Sequence, residues 1–317
     1  MIDARNKAAT IQMATGLSVS ANLLEAERLV AEAVGKGAGL VVLPENFAFM
    51  GRKDRDLCAL RESNGDGPLQ EFLGQLAKRY GIWLVGGTIP LEADDNSKVR
   101  AACIVYDDEG KAAARYDKMH LFDVNLVEAN ERYIESECIE PGDQAVVVDT
   151  PFGRLGIAVC YDLRFPELFR KLLDQGMQVI CLPSAFTAIT GKAHWEVLVR
   201  ARAVENLAWV VAPAQVGHHG KGRRSHGHAM IVDPWGVVVA QVPDGEGVAV
   251  AELECERVAG LLCQGGLDLV RDVRVAAVDL GDSCRVDGRL QALQGLAVDV
   301  VLAPFRSPDE STFAVGG

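Results

Sequence analysis

The chain has 317 residues, 49% of them apolar, enough for a sizeable core in one large α/β domain or two smaller ones. It carries 32 Lys and Arg against 44 Asp and Glu, and a formal charge of −12 excludes a general electrostatic footprint for nucleic acid. The opening Met1-Ile2-Asp3-Ala4-Arg5-Asn6-Lys7 has no apolar signal core and no later stretch approaches a membrane span, so neither export nor membrane insertion is expected.

Residues 8–13 read as a first strand. Residues 22–34 place Leu23, Ala26, Leu29, Val30, Ala33 and Val34 at amphipathic helix spacing, closed by Gly35, Gly37 and Gly39. Residues 40–43 form a buried strand ended by Pro44 and followed by Glu45. A helix is expected over 68–80, stopping at Gly81, then a strand over 82–88. Residues 101–106 and 112–116 flank the turn Asp107-Asp108-Glu109-Gly110 as a hairpin. A strand ends at Cys160, a helix runs through Leu172, and residues 179–184 form another strand. A long helix is expected over 193–206, then strands over 209–215, 228–232 and 237–241, the last two joined by Asp233-Pro234-Trp235-Gly236. Alternation of strands and helices argues for an α/β layered fold. From about Ala259 the periodicity weakens, which separates a domain over 1–258 from a divergent C-terminal segment over 259–317.

Cys160 follows the apolar run Leu155-Gly156-Ile157-Ala158-Val159 and opens a segment in which Pro166 can start a helix. Strand, tight turn and helix would lift a thiol off a sheet and aim backbone N–H groups at whatever it attacks. A free cysteine is more often a small core residue, and Cys103 and Cys181, within apolar runs, read that way. Eight cysteines with no C-x-x-C give no zinc-ribbon or redox-pair signature, and unpaired thiols favour a reducing cytoplasm.

Glu45, Lys118 and Cys160 each stand just beyond a strand, and in open sheets ligands sit outside strand ends. A carboxylate beside a thiol can act as general base, and an ammonium lowers the thiol pKa and can stabilise an oxyanion. Each also has a plain reading, Glu45 as a cap after Pro44 and Lys118 as a surface charge beside Asp117. Spacing alone does not join them.

Leu43-Pro44-Glu45-Asn46-Phe47, Tyr116-Asp117-Lys118-Met119-His120-Leu121-Phe122 and Cys160-Tyr161-Asp162-Leu163-Arg164-Phe165-Pro166-Glu167-Leu168 resemble the three signature blocks of the nitrilase (carbon–nitrogen hydrolase) superfamily and stand in its order. The resemblance implies Glu45 as general base, Lys118 as oxyanion stabiliser, Cys160 as nucleophile and the Tyr161 N–H as a second oxyanion donor. It also implies an orienting glutamate between the lysine and the cysteine, which Glu135 matches in Tyr133-Ile134-Glu135-Ser136, with Glu137 as the other candidate. The segments from Phe186 to Glu196, Arg200 to Asn206 and Gly227 to Gly236 are similar to the branch that contains the deaminated glutathione amidases. That likeness covers residues 7–258 and implies a four-layer αββα sandwich, a homodimer joined through helical faces, and neither metal nor cofactor. It implies hydrolysis of an amide C–N bond in a small carboxylated substrate through a cysteine thioester. An ester or an N-carbamoyl amine suits the same machinery, and an interaction protein on an inactive hydrolase scaffold is the reading from another class. The chain departs from the branch at Ser225-His226-Gly227-His228, where many members carry Ser/Thr-Tyr-Gly-His.

His226 and His228 alternate and could face one side as metal ligands, but no third ligand stands nearby in sequence. The basic loop His218-His219-Gly220-Lys221-Gly222-Arg223-Arg224 is either a solvated loop or a clamp for substrate carboxylates. Arg224 and Thr187 are the candidate substrate contacts. Arg164 and Glu167 are expected to brace the turn after Cys160, and Trp195 to lie in the core.

Overall fold

Residues alternate inward and outward along β1 (Lys7–Met13) and β2 (Ala38–Val42), yet almost all are buried. Ala8, Leu40 and Val42 pack in one core and Ala9, Ile11, Met13 and Val41 in another. Strands covered on both faces read as continuous apolar runs, which is why these segments show no polar alternation. The description rests on a computed structural model and covers residues 6–51, 54–126, 131–220 and 222–254. The segment 259–317 lies outside the described residues.

The second core is closed by α1 (Val19–Gly35) and α2 (Pro68–Tyr80). Ser18 caps α1 by accepting from the Ala21 N–H at 3.4 Å. The α2 bounds follow from Pro68 at its first turn and Gly81 in the left-handed conformation at its end, φ 60°. The same sheet continues through β3 (Trp83–Val85), β4 (Ile89–Glu92), β5 (Val99–Tyr106) and β6 (Ala112–Asp117). The strand expected over 82–88 therefore stops at Val85, because Gly86 and Gly87 turn the chain before β4 begins. A separate hairpin follows, β7 (Asp123–Leu126) with β8 (Glu131–Ile134).

The second sheet holds β9 (Val147–Thr150), β10 (Gly153–Ile157), β11 (Val179–Cys181) and β12 (Trp209–Ala212). Helices α3 (Pro166–Asp174) and α4 (Ala188–Asn206) cover its outer face through Leu168, Phe169, Leu172, Trp195, Val199 and Ala203. Helix α4 starts five residues before the expected position, since the Thr187 side chain accepts from the Thr190 N–H and caps it there. Residues 209–215 are not one strand. The chain leaves the second sheet at Pro213, and β13 (Ala214–His219) pairs in the first, beside β1 and β14 (Arg223–His226). Strands β15 (Ala229–Val232) and β16 (Val238–Val242) complete the second sheet, and β17 (Gly247–Glu252) runs antiparallel to β1. Two sheets face each other with helices outside, the four-layer αββα sandwich that the resemblance implied.

Candidate active site

Glu45, Lys118 and Cys160, 115 residues apart at the extremes, meet at one end of the two sheets. Glu45 follows β2, and its carbonyl accepts from Gln215 Nε2 at 2.9 Å while the next N–H, that of Asn46, donates to Thr88 Oγ1 at 2.8 Å. Lys118 follows β6, and its N–H donates to the Ala101 carbonyl at 3.0 Å. Cys160 follows β10 in a left-handed backbone conformation, φ 48°, and its N–H is tied to the Pro183 carbonyl at 2.9 Å. A non-glycine residue in that region is strained, and such strain clusters where a side chain must be aimed. Here it lifts the sulfur off the sheet onto the 3-10 turn Cys160–Arg164.

Lys118 is 1% exposed, and its Nζ donates to Glu45 Oε1 at 2.8 Å and to Glu135 Oε1 and Oε2 at 2.8 and 2.9 Å. Burial alone would push the ammonium down, but Glu135 and Glu45 outweigh it and hold Lys118 well above the ordinary lysine range. Glu135 is itself fixed by the Phe122 N–H at 2.7 Å. Of the two glutamates left open by sequence, Glu135 faces the lysine and Glu137 is exposed. Cys160 Sγ accepts from the Ala185 N–H at 3.5 Å and hydrogen-bonds Glu45. Burial first, then the Glu45 carboxylate, pushes the thiol well above its ordinary pKa, against the pull of Lys118. Lys118 does pull the thiol down, as expected, but burial and Glu45 outweigh it. Glu45 sits beside a protonated sulfur, and the lysine charge is already shared between two carboxylates.

The cleft that holds these groups offers about 570 Å³ of free space, its open mouth included. Tyr161, Arg164, Phe186, Thr187 and Arg223 stand in its wall. Thr187 Oγ1 pairs with Thr190 Oγ1 at 2.8 Å, so its hydroxyl is already engaged by the α4 cap. Arg224 lies on the opposite, exposed face of β14, because pairing of His218 with Arg224 and of His219 with Arg223 turns only the latter pair inward. Arg164, expected as a brace, lines the cleft with its guanidinium 5.5 Å from the Phe186 ring centre, whereas Glu167 is exposed. Trp195 is in the core, donating to the His228 carbonyl at 2.8 Å. The His226 and His228 rings stack 4.5 Å apart, and burial, then His228, pushes His226 down to about 4. Among the described residues no group of three potential metal ligands forms.

Sequence reasoning missed Asp162. It is fully buried and accepts from the Val159 N–H at 2.8 Å, the Tyr116 hydroxyl at 2.7 Å and the His120 N–H at 3.0 Å. Its position two residues after the cysteine, at N3 of a turn, was the available signal.

Residues 7–261 match the family Carbon-nitrogen hydrolase. The chain is 41% identical over 247 residues to the deaminated glutathione amidase of Yersinia enterocolitica, covering 78% of this chain and 86% of that protein. It is 43% identical over 256 residues to the protein of that name from Synechocystis sp., covering 79% and 92%. Among solved structures, Saccharomyces cerevisiae Nit3, a member of branch 10 of the nitrilase superfamily, superposes with a TM-score of 0.72 at 30% identity, over 88% of this chain and 96% of that one. The Caenorhabditis elegans NitFhit protein does so with a TM-score of 0.72 at 38% identity, over 81% of this chain but 62% of that longer one.

Proposed function

This chain belongs to the carbon–nitrogen hydrolase family, and on that premise we propose that it cleaves the amide C–N bond of a small carboxylated substrate through a thioester on Cys160, as an amidase of the deaminated glutathione type. The observation that carries the reading is the position of Lys118 Nζ, 2.8 Å from both Glu45 and Glu135 in a buried cleft that also holds the Cys160 sulfur.

Glu45 takes the Cys160 proton as the sulfur attacks the amide carbonyl carbon, since a protonated thiol needs an adjacent base to become a nucleophile. The carbonyl electrons move onto oxygen, and the Lys118 ammonium and the Tyr161 N–H stabilise that charge in a site largely closed to water. The oxyanion then collapses, the C–N bond breaks, and Glu45 returns the proton to the departing amine. A water molecule, deprotonated by Glu45, attacks the thioester. The acid leaves, and the thiol regains its proton. Glu135 keeps Lys118 charged and aimed, which makes it a positioning residue.

The amidases of similar sequence support the amide substrate. The five free cysteines among the described residues and the absence there of any helix long and apolar enough to cross a membrane fit the reading of a reducing, cytoplasmic compartment. Exposed Ile189, Val197 and Val204 on α4 suit homodimerisation through a helical face, and the net charge of −12 weighs against a nucleic-acid partner. The test is turnover of deaminated glutathione by Cys160→Ala. Loss of hydrolysis with an unchanged melting temperature supports the mechanism, and retained hydrolysis refutes it.

A further inference from the structure

The general base of the proposed mechanism is held by side chains far from it in sequence. Asn46, the residue after Glu45, has φ 56°, a left-handed conformation that glycine and asparagine tolerate. The peptide between Glu45 and Asn46 lies beyond the end of β2, so its carbonyl and its N–H need partners outside the strand ladder. Gln215 Nε2 donates to the Glu45 carbonyl at 2.9 Å, and the Asn46 N–H donates to Thr88 Oγ1 at 2.8 Å. Gln215, on β13, is fully buried. Its Nε2 also donates to Thr15 Oγ1 at 2.7 Å, and its Oε1 accepts from the Thr15 N–H at 3.1 Å. A backbone N–H can only donate, which fixes the amide with its nitrogen toward Glu45. Thr15 Oγ1 in turn donates to the Phe47 carbonyl at 3.1 Å, so the carbonyls on both sides of Asn46 are held by one Gln215–Thr15 pair. His219 Nδ1 donates to the Thr15 carbonyl at 2.8 Å and ties Thr15 to β13 a second time.

A buried amide destabilises the fold unless all its polar groups are paired, and an apolar side chain would fill the same place more simply. What the amide adds is a fixed direction for the Glu45 backbone. Glu45 must meet Lys118 Nζ at 2.8 Å and the Cys160 sulfur at once, and about 1 Å of misplacement costs on the order of 100-fold in rate. Neither Gln215 nor Thr15 stands in the cleft wall, so any effect they have on turnover passes through another residue.

We propose that Gln215 and Thr15 are positioning residues that aim the Glu45 carboxylate and act on turnover through it. The inference rests on the amidase reading. The test is a double-mutant cycle on the full-length chain. Gln215→Met, which keeps the bulk and loses the amide, lowers kcat roughly 10- to 100-fold with KM within about threefold. In a Glu45→Gln background the same change lowers the residual single-turnover rate by less than about twofold. Thr15→Val breaks the pair from the other side with the same pattern, and serves alone if Gln215→Met does not fold. Thr15→Ser, which keeps the hydroxyl, retains kcat within about threefold. Wild-type kcat in a folded Gln215→Met or Thr15→Val protein, or an equal fall in both backgrounds, overturns the positioning role while the amidase reading stands. A wild-type protein that cleaves no amide overturns the reading instead. Iodoacetamide labelling of Cys160 at about pH 8 then decides the positioning role without a substrate. Gln215→Met speeds that labelling severalfold, because it loosens the carboxylate that holds the thiol protonated, while the core residues Cys103 and Cys181 stay unlabelled. An unchanged rate, or the same gain in the Glu45→Gln background, overturns the role.

Discussion

The Tyr116 hydroxyl donates to Asp162 Oδ2 at 2.7 Å, joining the strand that delivers Lys118 to the turn that delivers Cys160. Asp162 also receives the His120 N–H and sits 2.7 Å from His120 Nδ1, so residues on both sides of Lys118 are pinned to the Cys160 turn. The His120 ring stacks on Phe165 with centres 3.8 Å apart, closing the same joint. The distance between lysine and sulfur is therefore set by a carboxylate that touches neither.

Asp162→Asn offers a donor where three donors converge. It is expected to lower stability by about 2–3 kcal/mol and kcat by more than tenfold. Tyr116→Phe removes one bond and costs about 1 kcal/mol, with a smaller loss of kcat. Denaturant unfolding and steady-state kinetics on both variants check the order. Equal kcat in all three proteins contradicts the positioning role.

Cys160 is held as a thiol by burial and by Glu45, and raising its pKa lowers the thiolate fraction at neutral pH. Alkylation by iodoacetamide, followed on the Cys160 peptide, is expected to accelerate as pH climbs past 9, with no plateau near neutrality. A plateau below pH 8 shows a preformed thiolate paired with Lys118 and contradicts the base role of Glu45.

Lys118→Met leaves Glu45 and Glu135 as buried carboxylates without their shared cation. The expected loss of stability is about 3–5 kcal/mol, with hydrolysis at background. Adding Glu135→Gln removes one of the stranded charges and recovers part of the stability but no activity. Chemical melts separate the two effects. Recovery of hydrolysis in the double variant shows that the ammonium is not needed for the oxyanion.

Gly87 occupies φ 61°, and a Cβ there would stand 2.2 Å from the Pro44 carbonyl oxygen, one residue before Glu45. Backbone cannot yield cheaply at that distance. Gly87→Ala is expected to cost about 1–3 kcal/mol and to lower kcat by displacing Glu45. Kinetics well below the melting temperature isolate the second effect, and wild-type kcat there would show that Glu45 has not moved.

Much of the architecture was legible because local signals were strong. Pro68 and Gly81 delimit α2 at both ends, and the hairpin of β5 and β6 follows from Asp107 to Gly110. The exchange of sheets at Pro213 was not, since Trp209 to Ala214 is one apolar run and pattern says nothing of which sheet a strand joins. The site was legible as three blocks but not as a geometry. The candidate contact Arg224 lies on the exposed face of β14 while its neighbour Arg223 lines the cleft, because one residue along a strand reverses the face. The roles of Asp162 and Gln215 depend on partners 42 and 170 residues away, which spacing along the chain cannot reveal.

In the proposed mechanism the Glu45 base and the Lys118 ammonium serve a covalent bond to one sulfur. Acid quench during turnover of deaminated glutathione, followed by mass measurement of the Cys160 peptide, tests it most directly. An added acyl group, substrate less its amine, is expected on Cys160 in the wild-type protein and none in Cys160→Ala. An adduct on a different residue, or continued turnover by Cys160→Ala, would contradict it.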